Sequence, residues 1–92
     1  SNVISPADMK ALGGEARWTS LRPEAIRIAS DGGVPALVRS TSFLGAATRL
    51  FVNAGATALS VTIPAGQPVP KPGDTVSLTW GAIDAHTMED DA

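Results

Sequence analysis

Apolar and polar residues alternate over much of this chain, and the cleanest case is Thr57-Ala58-Leu59-Ser60-Val61-Thr62-Ile63-Pro64. Leu59, Val61 and Ile63 point one way and Ser60 and Thr62 the other, the period-two signature of a half-buried strand. The run Thr75 to Trp80 repeats it, with Val76, Leu78 and Trp80 inward. Between Thr48 and Asn53, Leu50 and Val52 oppose Arg49, Phe51 and Asn53. Val34 to Phe43 predicts a longer strand, but Leu37 and Val38 are both apolar on opposite faces, so its register stays open. Ala16 to Leu21 predicts a first strand. Ile26 and Ile28 share a face with Arg27 opposite, and Ile83 to Met88 supplies a short final segment.

Turn chemistry separates these runs. Ser30-Asp31-Gly32-Gly33 predicts a hairpin-type turn, because Asp and Gly tolerate positive φ. Gly45 breaks the long strand, and Asn53-Ala54-Gly55 turns the chain again. Ala65 to Asp74 is a loop whose Pro68, Pro70 and Pro72 cannot donate to a sheet ladder. Near the start, Ser5 before Pro6 predicts a capped helical turn that Gly13-Gly14 ends. That stretch is too short to hold a helix alone, so it either links or packs against something. With Met9 the first methionine, Ser1-Asn2 reads as a cloning scar and the chain as a piece of a longer protein. The expected division is a lead-in over residues 1–14, a β domain over 15–88 and an acidic tail over 89–92. The fold class is all-β, a small antiparallel barrel or sandwich of about six short strands.

Composition narrows the function. Apolar residues make up 43% of the 92 but aromatics only 4%, so the core is aliphatic. The net charge of −2 gives nucleic acid no basic surface to seek. Without cysteine there is no disulfide framework, thiol catalysis or cysteine-held zinc. No apolar run approaches the ~18 residues that span a bilayer. The sequence lacks G-x-x-x-x-G-K-[ST] and G-x-S-x-G, so it shows neither a phosphate-gripping loop nor a framed nucleophilic serine.

Several residue groups could carry chemistry. Asp84, His86, Glu89, Asp90 and Asp91 could be drawn as a metal cluster, but they read as a solvated tail, with His86 a capping or packing residue. Trp18 and Trp80 read as core anchors, and Phe43 and Phe51 could join them as a binding platform. Arg17, Arg22, Arg27, Arg39 and Arg49 either scatter over solvated strand faces or converge on an anion. In the second case Arg22, Arg27 and Arg49 are the candidate ligand contacts, and the chain is a small-anion or metabolite-binding β module.

A set of motifs points elsewhere. "LRPEAIRI" (21–28), "FLGAATRLFV" (43–52), "TIPA" (62–65) and "KPGDTVSLTWGAIDAH" (71–86) occur in this order. Together they resemble the TOBE domain, the transport-associated OB-like module at the C-terminus of ATPase subunits of ABC importers, over about residues 16–88. The version with Trp80 and Asp84-Ala85-His86 is similar to importers of the spermidine/putrescine type, whose relatives include iron(III) and sugar importers. The resemblance implies an OB-like fold and a non-catalytic regulatory or oligomerisation role. It makes Arg22-Pro23-Glu24 a structural corner, with Pro23 presetting φ and holding Arg22 extended.

ATP and Mg would belong to a separate ATPase domain, and this part would hold no catalytic residue, cofactor or metal. The implied partners are a second copy and the membrane permease subunits, with no nucleic acid and no direct membrane insertion. The implied location is cytoplasmic, peripheral on the inner membrane face. Exposed strand edges on an apolar chain also favour a homodimer. Oxyanion-binding relatives carry a Ser-Ala-Arg-Asn-type stretch that is not visible here, and Gly81-Ala82-Ile83 intervenes after the late Trp. The barrel of such domains is often completed by distant segments, so the fragment could be an incomplete one.

Overall fold

Asn2–Ile4 is the first strand, β1, and it pairs antiparallel with β2 (Thr19–Leu21) in the computed structural model, which describes residues 1–88. The lead-in is therefore built into a sheet. Ile4 is buried, and the helix α1 (Pro6–Ala11) seats Met9 in the core. The Ser5 hydroxyl accepts from the Asp8 N–H at 3.2 Å, capping the first turn as the sequence predicts.

After β2 the chain turns through a 3-10 segment, Pro23–Ala25, into β3 (Arg27–Ala29). Arg22 is extended at φ −72°, ψ 141°, the region a following proline enforces. The turn moves the chain from one sheet to the other. It packs against β6 (Thr57–Pro64), and Leu21, Pro23 and Ile26 are buried around it.

The second sheet holds the long elements: β4 (Val34–Phe43), β5 (Ala47–Ala54), β6 and β7 (Thr75–Thr79). Its order is β3-β7-β4-β5-β6, while β8 (Ala85–Thr87) joins the first sheet as β1-β2-β8. All pairings are antiparallel. Among the described residues eight strands in two sheets form an all-β, OB-like domain, two more than the six or so expected. Both hairpins of the β4-β5-β6 meander turn on a Gly-Ala pair. Gly45 and Gly55 take φ of 84° and 63°, and among the described residues none other than glycine has positive φ. Glycine alone at the first central position marks type II′ turns, whose twist suits a tight hairpin.

Three expectations need correction. The turn at Ser30 to Gly33 does not close a hairpin, because β7 lies between β3 and β4. Gly33 is needed there for another reason: an added Cβ would collide with the Leu78 carbonyl oxygen. Trp18 is not a core anchor. It sits before β2, 42% exposed, whereas Trp80 does pack on the core. Ile28 shares the Leu78 face across β3 and β7 but stays 36% exposed, because β3 is an edge strand.

The core is one aliphatic cluster drawn from both sheets. Ile4, Leu21, Ile26, Val38, Leu50, Val52, Val61 and Leu78 are almost fully enclosed, each worth roughly 1.5–3 kcal/mol of burial. The open register of β4 resolves as a bulge: Val38 faces Val52, Ser40 faces Phe51, and Arg39 is the extra residue between them.

Candidate functional site

Arg22 and Arg27 flank the 3-10 corner, and both side chains are exposed, as is Glu24. Arg27 stands on β3 opposite Thr79, level with the beginning of β4. Arg49 stands on β5 opposite Ser42, near the far end of β4. About nine rungs separate these two positions along the sheet, roughly 30 Å at strand spacing. The fold therefore does not bring Arg27 and Arg49 together on one anion.

Arg49 lies between Ser42 and Thr62 on the face turned away from the core. Its Nε and the Thr62 Oγ1 are enclosed, and neither has a hydrogen-bond partner among the described residues. On Arg49 the enclosure concerns the Nε alone, since the residue as a whole is half-buried. Arg39, at the bulge, borders a shallow cleft of about 290 Å³ with Ser40, Phe51, Asn53 and Ser60. Phe51 thus faces that cleft while Phe43 lies at the tip of the β4–β5 hairpin, so the two do not form one platform with the tryptophans.

The other residues singled out stand apart. Arg17 meets Glu15 at 3.9 Å between two exposed side chains, a pair worth little to stability. His86 is exposed on β8 opposite Ser20, so it is not a packing residue. Asp84 ends a short 3-10 turn (Ala82–Asp84) ahead of it. Glu89, Asp90 and Asp91 lie outside the described residues. Among the described residues no group of three His, Asp or Glu could hold a metal ion.

No local pattern announces what Asn2 does. Its side-chain amide donates to the Ser60 carbonyl at 2.9 Å, and its Oδ1 accepts from the Ser60 N–H at 2.7 Å. Ser60 is on β6, the last strand of the larger sheet, so Asn2 closes the outward groups of that edge at Ser60. A wider cleft of about 540 Å³ lies where the proline-rich loop passes the sheet, walled by Ile28, Ile63, Pro68, Val69 and Val76.

The comparisons agree with this architecture. Residues 19–88, from the start of β2 to just past β8, match the family model for the TOBE domain. The chain belongs to the TOBE domain family. Its TOBE domain is also similar to an uncharacterised ABC transporter ATP-binding protein of Sinorhizobium fredii (strain NBRC 101917 / NGR234), 35% identical over 91 residues. That match covers 98% of this chain and 26% of the relative, so the chain spans about a quarter of that protein's length. β1 and α1 lie ahead of the family match, yet they complete the smaller sheet and plug the core of the TOBE domain.

Proposed function

We propose that this chain is a non-catalytic regulatory and pairing module of the ATP-binding subunit of an ABC importer. The observation that carries the reading is the TOBE match over 19–88, joined to a relative whose name is that of an ABC transporter ATP-binding protein and of which this chain corresponds to a quarter. ATP and Mg bind in the remainder of the parent protein. The module works beside a second copy of itself, on the cytoplasmic face of the membrane, attached through the permease subunits. The transported solute belongs to the polyamine, iron or sugar classes.

The separation of Arg27 from Arg49 supports this reading over a receptor that gathers all three arginines on one anion, and leaves Arg22 and Arg27 at the corner as the pair such a receptor would use. The test compares the parent protein with this chain. Mg-dependent ATP hydrolysis by the parent, and none by the chain, is the expected result. Hydrolysis by the chain itself overturns the reading, as does a parent frame without a phosphate-gripping loop. A thermal-shift series with oxyanions, sugars and polyamines addresses the receptor alternative, which gains only if one of them raises the melting temperature.

A further inference from the structure

β4 is longer than the strand beside it. β7 pairs only with Val34 to Leu37, and Val38 closes that contact by donating to the Asp74 carbonyl at 2.9 Å and accepting from Gly73 N–H at 2.8 Å. Beyond the Arg39 bulge, Ser40 to Phe43 pair with β5 on one side and, among the described residues, with no strand on the other. The proline-rich loop cannot extend the ladder there, since Pro68, Pro70 and Pro72 have no N–H.

The direction of the free groups follows from the hairpin. Leu44 N–H donates to the Ala47 carbonyl at 2.8 Å, which makes that pair a hydrogen-bonded rung. Rungs alternate in an antiparallel ladder, so Ser42 and Ser40 turn their peptide groups toward β5, whereas Thr41 and Phe43 turn theirs outward. Phe43 is 80% exposed and Leu44 52%. No charged residue or proline occurs from Ser40 to Thr48. Sheet edges in stable monomers are ordinarily blunted by such residues or by a cover. The two terminal strands of this sheet are managed: β6 by the Asn2 clamp, and β3 by its three-residue length and Arg27. The outer half of β4 has neither device among the described residues, although Gln67 and Val69 of the proline-rich loop share a small cavity with Phe43.

We infer that this edge is the seam through which two copies of the chain pair, antiparallel and centred on Ser42. The inference deepens the pairing proposed above and names its residues. In this register Thr41 of one copy exchanges both backbone bonds with Phe43 of the other, and the two-fold axis repeats the exchange. Phe43 side chains then lie diagonally across the axis, and each Leu44 faces a Ser40. Arg39, the charge nearest the edge, meets Gly45 rather than its own mate, so no like charges oppose each other. One sheet runs through both copies, and the exposed tip becomes its centre. The interface is short, so pairing of the isolated chain is concentration-dependent, and tethering in the parent strengthens it.

The register predicts a crosslink. At the axis Ser42 faces Ser42 as a rung without backbone bonds, where Cα atoms approach to about 4.5 Å, within the range a disulfide spans. The chain has no cysteine, so Ser42→Cys introduces a single thiol. Mild oxidation of the concentrated protein is expected to trap Ser42→Cys as a dimer at least several-fold faster than Ser40→Cys. Sedimentation of the unmodified chain is expected to move from 9.4 kDa toward twice that mass as concentration rises. Thr41→Pro, which removes an outward N–H but no bond to β5, and Phe43→Lys are both expected to abolish the shift. Phe51→Lys on the neighbouring strand is expected to leave it unchanged. A dimer that survives Thr41→Pro, or equal trapping at positions 40 and 42, overturns the seam while leaving pairing intact. A monomer at every concentration overturns both.

Discussion

The two halves of β4 carry similar side-chain sizes and end in different environments. Val34 to Val38 has a strand on each side and places Ala36 and Val38 in the core. Ser40 to Phe43 has one strand beside it and leaves its large apolar residue in solvent. Arg39 divides them, because the bulge shifts the register by a residue just beyond the point where pairing with β7 ends. Flanking strands favour burial only on the inner face: Leu37, paired on both sides, is still 46% exposed on the outer one. In one half β7 lies alongside and the inner face joins the core; in the other Thr41 and Ser42 are half-buried and Phe43, at the tip, stands in solvent.

The sharpest way to break this contrast is inside the covered half's own wall. Leu78→Ala, opposite Val34, leaves a cavity expected to cost about 2–5 kcal/mol. Thermal unfolding should show a midpoint lower by ~10 °C or more. A fall of only a degree or two would mean that β7 is not packed as described.

Gly33→Ala comes next. It forces a methyl against the Leu78 backbone, which cannot yield as a side chain would, for about 1–3 kcal/mol. Urea unfolding of the variant measures it, and a neutral result would place β7 farther from the Gly33 turn. Asn2→Ala is expected to cost about 1–2 kcal/mol, since the Ser60 N–H and carbonyl lose their partner at the β6 edge. Hydrogen exchange should then quicken at Ser60 more than at Val61. Phe43→Lys has the smallest expected effect on folding, within about 0.5 kcal/mol. If it proves as costly as Leu78→Ala, the outer half of β4 is covered after all and the contrast fails.

Much of the architecture was legible where a run was long enough to show its period. The strand over 57–64 and the one over 34–43 are read to the residue, and so are the Ser5 cap and the break at Gly45. What escaped was non-local. No residue near Asp31 announces that a strand some forty positions later will separate β3 from β4. Three residues of β1 are too few to display alternation, so Ile4 and Asn2 looked like lead-in. Size alone suggests Trp18 as an anchor, but it lies just before the start of β2 with Met88 across from it and stays 42% exposed.

The candidate contacts Arg22, Arg27 and Arg49 were chosen by charge, and strand register, which no local pattern encodes, keeps Arg27 from Arg49. The free edge of β4 did leave a trace. An uncharged β-prone stretch from Ser40 to Leu44 continues a strand of ten residues beside a five-residue partner.

The Asn2–Ser60 clamp joins positions 58 apart in the chain, and the smaller sheet gathers Asn2–Ile4, Thr19–Leu21 and Ala85–Thr87 from widely spaced segments. The β4-β5-β6 meander, by contrast, is closed by two-residue turns. Loop closure makes distant pairings the slower and costlier ones to establish. The meander is thus the part that can form early, and the clamp is the latch fastened last. During refolding, the amides of β5 should gain protection before those of β1, and in the native protein β1 should be the first strand to open.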